Sequence, residues 1–430
     1  MIWRWHFYAG LFCIPFIIWL SITGSIYLFK PQIDSYLDKP YSHLEIHNPK
    51  TPSNQVDAVL KAIPDASFNA YQLPESNTQA TQILINIKDR KLRVYVNPES
   101  LKILKVQDED KKFTNLISNL HGELLLGDKG SILVELAASW TVVMLITGLF
   151  LWWPKDSKSL AGVLYPRVNR KGRIFWKDLH SVIAFWVSFF ALFLILSGLP
   201  WAKSWGSVLK ELREINLRTT IQPDWKIGHE DQLKERLPHH NHSNSADANS
   251  ENKLGYRILD VIVKDIHYKD NETPILISPP DNQTKNWVVK SVSQNRPRRF
   301  KMEMDAQTGR MVSREEFSQS PLIDRVVGIG VAAHEGQLFG WPNVALGLFT
   351  ATGLLIATIS AITMWLARRH KGTIGAPVAI KSNNASISII LSIIFLSLVL
   401  PLLGISLILI TILEKIFLRR VSKIKLFLGL

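Results

Sequence analysis

The sequence predicts a membrane α-helical protein in which duplicated two-span units form a four-helix bundle and carry two α+β domains outside the membrane. Three observations predict this fold: five long apolar runs, short basic loops beside them, and a repeated pattern of histidine and small residues. Apolar residues make up 47% of the 430 residues, a share that would also suit a large soluble protein. The membrane class is therefore predicted from the concentration of apolar residues in long runs, and not from their number.

Each apolar run contains about 20 or more residues with few charges, which is the length that a helix needs to cross a bilayer. The predicted segments are a first span within residues 1–30, further spans at 131–153, 181–201 and 341–367, and a fifth apolar segment at 385–413. The first span lacks a clear small-x-small cleavage site and is expected to remain as an anchor. Its Cys13 is the only cysteine, so the outer domains are expected to fold without disulfides.

The basic loops predict the orientation of the chain, because short loops rich in Lys and Arg mark the cytoplasmic side. Residues 154–180 carry seven such residues, and residues 368–371 carry three more. They place the N-terminus in the cytoplasm and leave residues 31–130 and 202–340 as two periplasmic domains. The net charge of +14 therefore reflects topology in a lipid membrane, and no nucleic acid is expected as a partner.

The fifth segment, 385–413, leaves two arrangements open. A single pass would place its basic tail outside, against the charge rule. Pro401 and Gly404 would instead permit a re-entrant pair of short helices that returns the tail to the cytoplasm.

A repeat relates the two halves of the chain. In spans one and three, a hydroxyl residue and a small residue follow a histidine by 17 and 18 positions, and around spans two and four they follow it by 26 and 27 positions. The matched sets are His6 with Thr23-Gly24, His180 with Ser197-Gly198, His121 with Thr147-Gly148, and His334 with Ser360-Ala361. Because both units run in the same direction, they are expected to be related by an axis along the membrane normal and to pack as a four-helix bundle.

Both outer segments show the pattern of a helix followed by antiparallel strands. The predicted elements are helix 53–64 with strands 83–87 and 92–96, and helix 254–266 with strands 287–292 and 299–304. Residues 236–253 are rich in Asn, Ser and His, which is typical of a loop.

Several short motifs resemble a known family. Residues 97–101 (Asn-Pro-Glu-Ser-Leu) and 305–309 (Asp-Ala-Gln-Thr-Gly) resemble the strand-and-turn signature of PepSY domains, although Ser-Leu replaces Thr-Gly in the first. The sequences at 121–124 (His-Gly-Glu-Leu), 334–336 (His-Glu-Gly) and 148–154 resemble PepSY-associated transmembrane proteins. The resemblance covers roughly residues 1–370.

The resemblance implies an iron-regulated protein of the bacterial inner (cytoplasmic) membrane, similar to membrane siderophore reductases that hold b-type haem. Such an oxidoreductase would pass electrons across the membrane to a ferric siderophore or another ferric chelate. No flavin or nicotinamide fingerprint occurs in the sequence, so an unidentified cytoplasmic or membrane donor would supply the electrons. The alternative is a non-enzymatic, membrane-anchored PepSY protein that binds or regulates an envelope partner. A permease is disfavoured because most spans lack charged and polar residues.

The four repeated histidines are the candidate ligands of haem iron, since two imidazoles give a six-coordinate electron-transfer centre. The predicted topology places His6 and His180 at the cytoplasmic ends of their spans and His121 and His334 at the outer ends. One pair at each face predicts two haems b. The alternative reading is that these are interfacial histidines with solvated tips.

The small residues of the repeat are predicted to leave room for the porphyrin. Seventeen residues of helix cover about 25 Å, so Gly24 and Gly198 are expected at the level of the outer histidines, and Gly148 and Ala361 at the level of the inner ones. The alternative is that these residues serve only helix packing.

Three further features carry open alternatives. Glu135 is the only acidic residue well inside a span, and it either balances protons near the outer haem or is hydrated at the interface. Three histidines of the Asn- and Ser-rich loop either bind a metal ion or are solvated: His239, His240 and His242. A basic stretch either docks an acidic iron chelate or forms a solvated strand edge; it contains Arg296, Arg298, Arg299 and Lys301.

Overall fold

The computed structural model describes residues 2–153, 159–217, 256–266, 272–281, 284–377 and 387–429. The helices are α1 (Ile2–Tyr27), α2 (Lys30–Asp38), α3 (Pro52–Ala62), α4 (Phe113–Glu123), α5 (Asp128–Trp152), α6 (Arg173–Gly198), α7 (Lys203–Leu217), α8 (Arg257–Asp265), α9 (Leu322–His334), α10 (Trp341–Arg368), α11 (Ile387–Val399), α12 (Pro401–Leu413) and α13 (Ser422–Leu428). The strands are β1 (Ser67–Gln72), β2 (Thr81–Ile87), β3 (Arg90–Val96), β4 (Ile103–Asp108), β5 (Ile275–Ser278), β6 (Trp287–Ser291), β7 (Phe300–Met304) and β8 (Met311–Glu316).

The described residues form two compact units. The helical unit comprises those within 1–28, 119–220 and 344–430, and the sheet unit comprises those within 29–118 and 221–343. Five helices of the described chain are long and apolar enough to cross a membrane. They are Ile2–Tyr27, Asp128–Trp152, Arg173–Trp201, Trp341–Arg368 and Pro401–Leu418. The first four coincide with the predicted spans.

Small buried residues bring α1 and α5 into close contact along their length. Ala9 and Cys13 of α1 and Ala137 of α5 are all buried, and the Cys13 thiol donates to the carbonyl oxygen of Ala137 at 3.6 Å. Such residues let the helix backbones approach closely, which is the usual source of packing energy between membrane helices. The helix surfaces that face away from the other helices are apolar and suit contact with lipid. The side chain of Phe189 on α6, for example, is 74% exposed.

The fifth apolar segment is a helical hairpin. Helix α11 ends at Val399, and Pro401 begins α12 because it has no N–H to continue the previous helix. The turn is buried, with Leu400 and Leu403 packed in a cluster that includes Val142 of α5.

Two contacts hold the end of the chain, one at the beginning of α1 and one at the segment that follows α10. The Tyr8 hydroxyl donates to the carbonyl oxygen of Leu428 at 2.6 Å, and the Ile374 N–H donates to that of Phe427 at 2.8 Å. Of the two arrangements that the sequence leaves open for residues 385–413, the structure has the paired short helices.

The sheet unit contains one antiparallel sheet of eight strands in the order β4-β3-β2-β1-β5-β6-β7-β8. Each half is a helix followed by a four-strand meander, α3 with β1–β4 and α8 with β5–β8. The predicted domains 31–130 and 202–340 therefore share a sheet. The two halves join where β1 pairs with β5, with Tyr71 opposite Ile277. This pairing removes two edge strands that would otherwise present unpaired backbone groups.

The helices α3 and α8 lie against one face of this sheet and bury its core. Val56 and Val59 of α3 and Leu259 and Ile262 of α8 are fully buried in that core with residues of both meanders. The helices are also joined by Asp260 of α8, whose carboxylate accepts from the backbone N–H and the hydroxyl of Ser53 at 2.8 and 2.6 Å. This contact satisfies a donor at the N-terminus of α3.

The two signature turns have the same geometry. Asn97 and Asp305 each begin a turn, and their side-chain oxygens accept from backbone N–H groups within it. Hydrogen bonds from Thr308 hold the pKa of Asp305 below its usual value. The fifth position has a φ of 60° at Leu101 and 69° at Gly309. The first turn thus keeps a left-handed residue where the signature glycine is missing.

Because leucine is disfavoured at positive φ by roughly 1–2 kcal/mol, we expect Leu101→Gly to raise the free energy of unfolding by up to about 1 kcal/mol, after the greater freedom of glycine in the unfolded chain is subtracted. The reciprocal variant Gly309→Leu should lower it, since it adds the same strain and a Cβ 3.2 Å from Cγ1 of Val261. Unfolding of the purified protein in detergent measures both. A shift of the two variants in the same direction would contradict the shared geometry.

Candidate functional site

Two of the four repeated histidines meet inside the helical unit. His6 lies in the second turn of α1 and His180 in the second turn of α6, and their ring centroids are 6.3 Å apart with an interplanar angle of 71°. Both side chains are partly buried. The structure therefore brings together residues that are 174 positions apart in the sequence.

Each ring is oriented by a hydrogen bond from its Nδ1 atom to a neighbouring helix. His6 Nδ1 lies 3.1 Å from the carbonyl oxygen of Met144 on α5, and His180 Nδ1 lies 2.8 Å from that of Ala357 on α10. A carbonyl oxygen can only accept, so Nδ1 carries the proton in both rings. The lone pair is then on Nε2, which is the arrangement found when imidazole ligates a metal.

The two acceptors occupy equivalent positions of the repeat. Met144 precedes Thr147 by three residues, and Ala357 precedes Ser360 by three residues. The sequence repeat therefore extends to the hydrogen bonds that orient the histidines. This regularity favours a common role for His6 and His180 over two unrelated interfacial histidines.

His121 is held in a similar way near the other end of α1. Its Nδ1 lies 3.0 Å from the hydroxyl oxygen of Thr23. That hydroxyl donates its own hydrogen to the carbonyl oxygen of Trp19 at 2.8 Å, so its oxygen accepts from His121. The ring again has its proton on Nδ1 and its lone pair on Nε2.

The two glycines beside these threonines make room for an imidazole, and their predicted place beside a porphyrin stays a prediction. A Cβ atom at Gly24 would lie 3.1 Å from Cε1 of His121, and one at Gly148 would lie 3.0 Å from Cε1 of His6. Both distances are shorter than ordinary van der Waals contact. Each Thr-Gly pair thus receives a histidine, with the hydroxyl on Nδ1 and the glycine against Cε1.

The remaining members of the predicted site lie at three helix positions. Gly198 is the last residue of α6, and Ala361 follows Ser360 on α10. His334 is the last residue of α9 in the sheet unit, where the Asn343 side chain donates to the carbonyl oxygen of Ala333 at 2.9 Å. The pairing of His121 with His334 stays a prediction.

The separation of His6 and His180 fits a group that takes two axial imidazoles. With metal–nitrogen bonds of about 2 Å and roughly 1.2 Å from each ring nitrogen to its centroid, two opposed imidazoles on one metal have centroids about 6 Å apart. Within the described residues, no group of three or more His, Cys, Asp or Glu is placed to hold a metal ion. Two ligands suit a cofactor that brings the others itself, as haem does.

Glu135 has a structural role that neither reading of the sequence included. It is only 3% exposed, and its carboxylate accepts from the backbone N–H groups of Ser204 and Trp205 at 2.9 and 3.2 Å. These are orphan donors at the N-terminus of α7, where a negative charge also complements the helix dipole. Glu135 therefore anchors α7 to α5.

An ion pair with a buried carboxylate lies two residues before His180 in the sequence and was not predicted. Asp178 is fully buried and accepts from the guanidinium of Arg167 at 2.6 and 2.8 Å. The loop before α6 is also held by Trp152 and Trp186, whose indole N–H groups donate to the carbonyl oxygens of Val163 and Leu164. Asp178 is the only acidic residue of the basic segment 159–180, and this feature of the sequence could have indicated that it is paired.

The other two candidate sets gain no support as sites. His239, His240 and His242 lie outside the described residues. In the basic stretch, Arg296 is buried beneath α9, Arg299 donates to the carbonyl oxygen of Ser293 at 2.6 Å, and Lys301 pairs with Glu303. The predicted solvated strand edge is also wrong, because β7 lies between β6 and β8.

The sequence was also compared with known proteins. The sequence matches the family described as the PepSY-associated TM region over residues 3–368. A search of curated proteins gave no match.

We expect Gly148→Ala to destabilise the helical unit by roughly 1–3 kcal/mol, because the added Cβ crowds the ring of His6. The matched control is Gly10→Ala at the same interface, where the nearest atom to a Cβ would be Met144 Sδ at an ordinary 3.8 Å. Both substitutions gain the same helix propensity, so the difference in melting temperature measures the crowding. Equal melting temperatures would show that the contact is not tight.

We expect Asp178→Ala to release the loop before α6, since it leaves the guanidinium of Arg167 without its carboxylate. Limited trypsin digestion should then cleave after Arg170 and Lys171 severalfold faster than in the unmodified protein. Lys177→Ala is the control. The Lys177 amine lies 3.8 Å from the Asp178 carboxylate, too far for a hydrogen bond, and its side chain is mostly exposed. Unchanged cleavage in Asp178→Ala would mean that the loop does not depend on the ion pair.

Proposed function

Because this chain belongs to the PepSY-associated transmembrane family, we propose that it is a haem-containing oxidoreductase of the inner membrane, which passes electrons across the bilayer to a ferric siderophore or another ferric chelate. The observation that carries the proposal is the meeting of His6 and His180, with centroids 6.3 Å apart and both Nδ1 atoms bound to backbone carbonyls. The ligand role of all four histidines, and the presence of two haems b, are part of this proposal.

The residues of the chain hold and orient such a group. His6 and His180 present Nε2 lone pairs from two different helices, and the carbonyl oxygens of Met144 and Ala357 prevent the rings from rotating. A haem bound between two imidazoles supplies one-electron transfer, with a potential that the protein tunes through the ligands and their hydrogen bonds. The surrounding apolar helices keep water away from the rings.

The second site is proposed near the opposite end of α1, on His121 and His334. Thr23, which orients His121, follows His6 by 17 residues, so about 25 Å of helix separates the two levels. That distance is most of a bilayer's thickness. One site at each level would let electrons cross the membrane within this chain.

The distribution of charge supports an orientation with the His6 end in the cytoplasm. The loops beside that end carry the basic residues of segments 159–177 and 368–371. The hairpin of α11 and α12 returns Leu428 to Tyr8, so the basic residues of segment 415–425 lead back to the same end. All of these then obey the positive-inside rule, and the sheet unit would be periplasmic.

In this proposal the chain supplies no acid or base to the substrate. One electron converts the ferric iron of a chelate to ferrous iron, which binds hard oxygen ligands less tightly, so the metal is released for uptake. The electron donor at the cytoplasmic face would be another protein or a membrane carrier, as the sequence has no flavin or nicotinamide fingerprint.

A second candidate function rests on the edge of the sheet. Strand β8 has one neighbour, β7, and its residues Met311 and Val312 are 59% and 60% exposed. An exposed edge of this kind can accept an extended peptide as an additional strand. This favours the non-enzymatic alternative, in which the sheet unit binds an envelope protein and regulates it.

The proposed function predicts a Soret band in protein purified from haem-replete cells, with a shift on reduction by dithionite. His6→Ala or His180→Ala should each remove one haem, about half of the absorbance, and His121→Ala or His334→Ala should remove the other. His370→Ala, an exposed histidine outside the repeat, should change nothing. A colourless but correctly folded preparation would refute the haem proposal and leave the binding function as the better candidate.

A further inference from the structure

We propose that the hydroxyl oxygens of Thr23 and Thr147 are positioning groups that set the tautomer of His121 and His6 and thereby tune the electron density on their Nε2 atoms. This inference rests on the proposed function, because the tuned nitrogen matters only if it ligates haem iron. It extends that function from the ligands to the residues of the neighbouring helices that control them.

The argument at His121 begins with the direction of the hydrogen bonds. The Thr23 hydroxyl has one hydrogen, which it donates to the carbonyl oxygen of Trp19 at 2.8 Å. The oxygen lone pairs then remain to accept from His121 Nδ1 at 3.0 Å. A threonine whose hydrogen is committed to its own helix thus acts as a pure acceptor toward the imidazole.

His6 has the same arrangement with one difference. The Thr147 hydroxyl donates to the carbonyl oxygen of Val143 at 2.7 Å and lies 3.2 Å from His6 Nδ1. The Met144 carbonyl oxygen lies 3.1 Å from the same nitrogen, so the Nδ1–H is shared between two acceptors. Loss of Thr147 therefore leaves a backbone acceptor in place, so His6 should keep part of its orientation.

The close packing of the two Thr-Gly pairs makes the arrangement specific. Glycine at 24 and 148 lets each imidazole approach within van der Waals contact of the helix, with Cε1 against the glycine and Nδ1 on the preceding threonine. A side chain at either glycine would move the ring away from the hydroxyl. The pair thus fixes both the position and the protonation of the ring.

The chemical consequence follows from the acceptor on Nδ1. An acceptor that draws on the Nδ1–H raises the basicity of Nε2, and a more basic ligand stabilises ferric over ferrous iron. Removing the acceptor should therefore shift the midpoint potential of that haem to more positive values. It should also weaken binding of haem to the haem-free protein, because outer hydrogen-bond partners typically contribute about 10-fold or more to metal affinity.

The test uses the full chain with His180→Ala, which leaves the haem at the His121 end as the one to be measured. Into this background we would introduce Thr23→Val, which keeps the shape of threonine but has no oxygen, and Thr23→Ser, which restores the oxygen. Thr363→Val is the matched control, since the Thr363 hydroxyl bonds to the Ile359 carbonyl oxygen of its own helix. The readouts are the midpoint potential and the affinity for added haem.

We expect Thr23→Val to shift the potential in the positive direction and to weaken haem affinity about 10-fold, while Thr23→Ser and Thr363→Val stay near the parent. In the parallel His121→Ala background, Thr147→Val should shift the potential of the other haem in the same direction. If the parent holds haem and Thr23→Val leaves its potential unchanged, the inference is wrong and the proposed function stands. If no histidine-dependent haem binds to the parent, the proposed function fails, and this inference fails with it.

Discussion

A polar group inside a membrane-spanning helix has to find its hydrogen-bond partner within the protein, because the bilayer offers none. The helical unit depends on this constraint. His6, His180 and His121 each direct Nδ1 at an acceptor on a neighbouring helix, with distances between 2.8 and 3.2 Å. The acceptors are backbone carbonyls or hydroxyls committed to their own helix, so they assign the proton to Nδ1. The other nitrogen of each ring is then the one that can ligate a metal.

Such bonds require helices that approach closely, and the residues at the contacts show how this is achieved. Gly24 and Gly148 bring the backbone against an imidazole, and Cys13 lies against the backbone of α5. Charged residues are placed by the same constraint. Glu135 satisfies the first donors of α7, and Asp178 is paired with Arg167. Both carboxylates thus have their hydrogen-bond partners within the helical unit.

The duplication has different consequences in the two units. In the helical unit it repeats a hydrogen bond, from His6 to Met144 and from His180 to Ala357, at equivalent positions. In the sheet unit it produces two meanders that would each have an exposed edge, and pairing of β1 with β5 joins them into one sheet. The signature turn is repeated as well, although Leu101 replaces the glycine of the second copy and takes its left-handed conformation.

The sequence alone determined the four main spans, the repeat, the two central strands of each meander and the signature turns. Apolar length, alternation and turn chemistry are local properties, so they can be read without knowing which segments meet. The tertiary structure decided the rest: the meeting of His6 with His180, the hairpin after Leu400, the fusion of the two meanders and the role of Glu135. The same holds for Gly148, whose lack of a side chain makes room for the ring of His6, and for Arg296, which is buried. The physical reason is distance along the chain. The bonds that orient His6 and His180 join residues 138 and 177 positions apart, and no local pattern specifies which acceptor a buried donor will find.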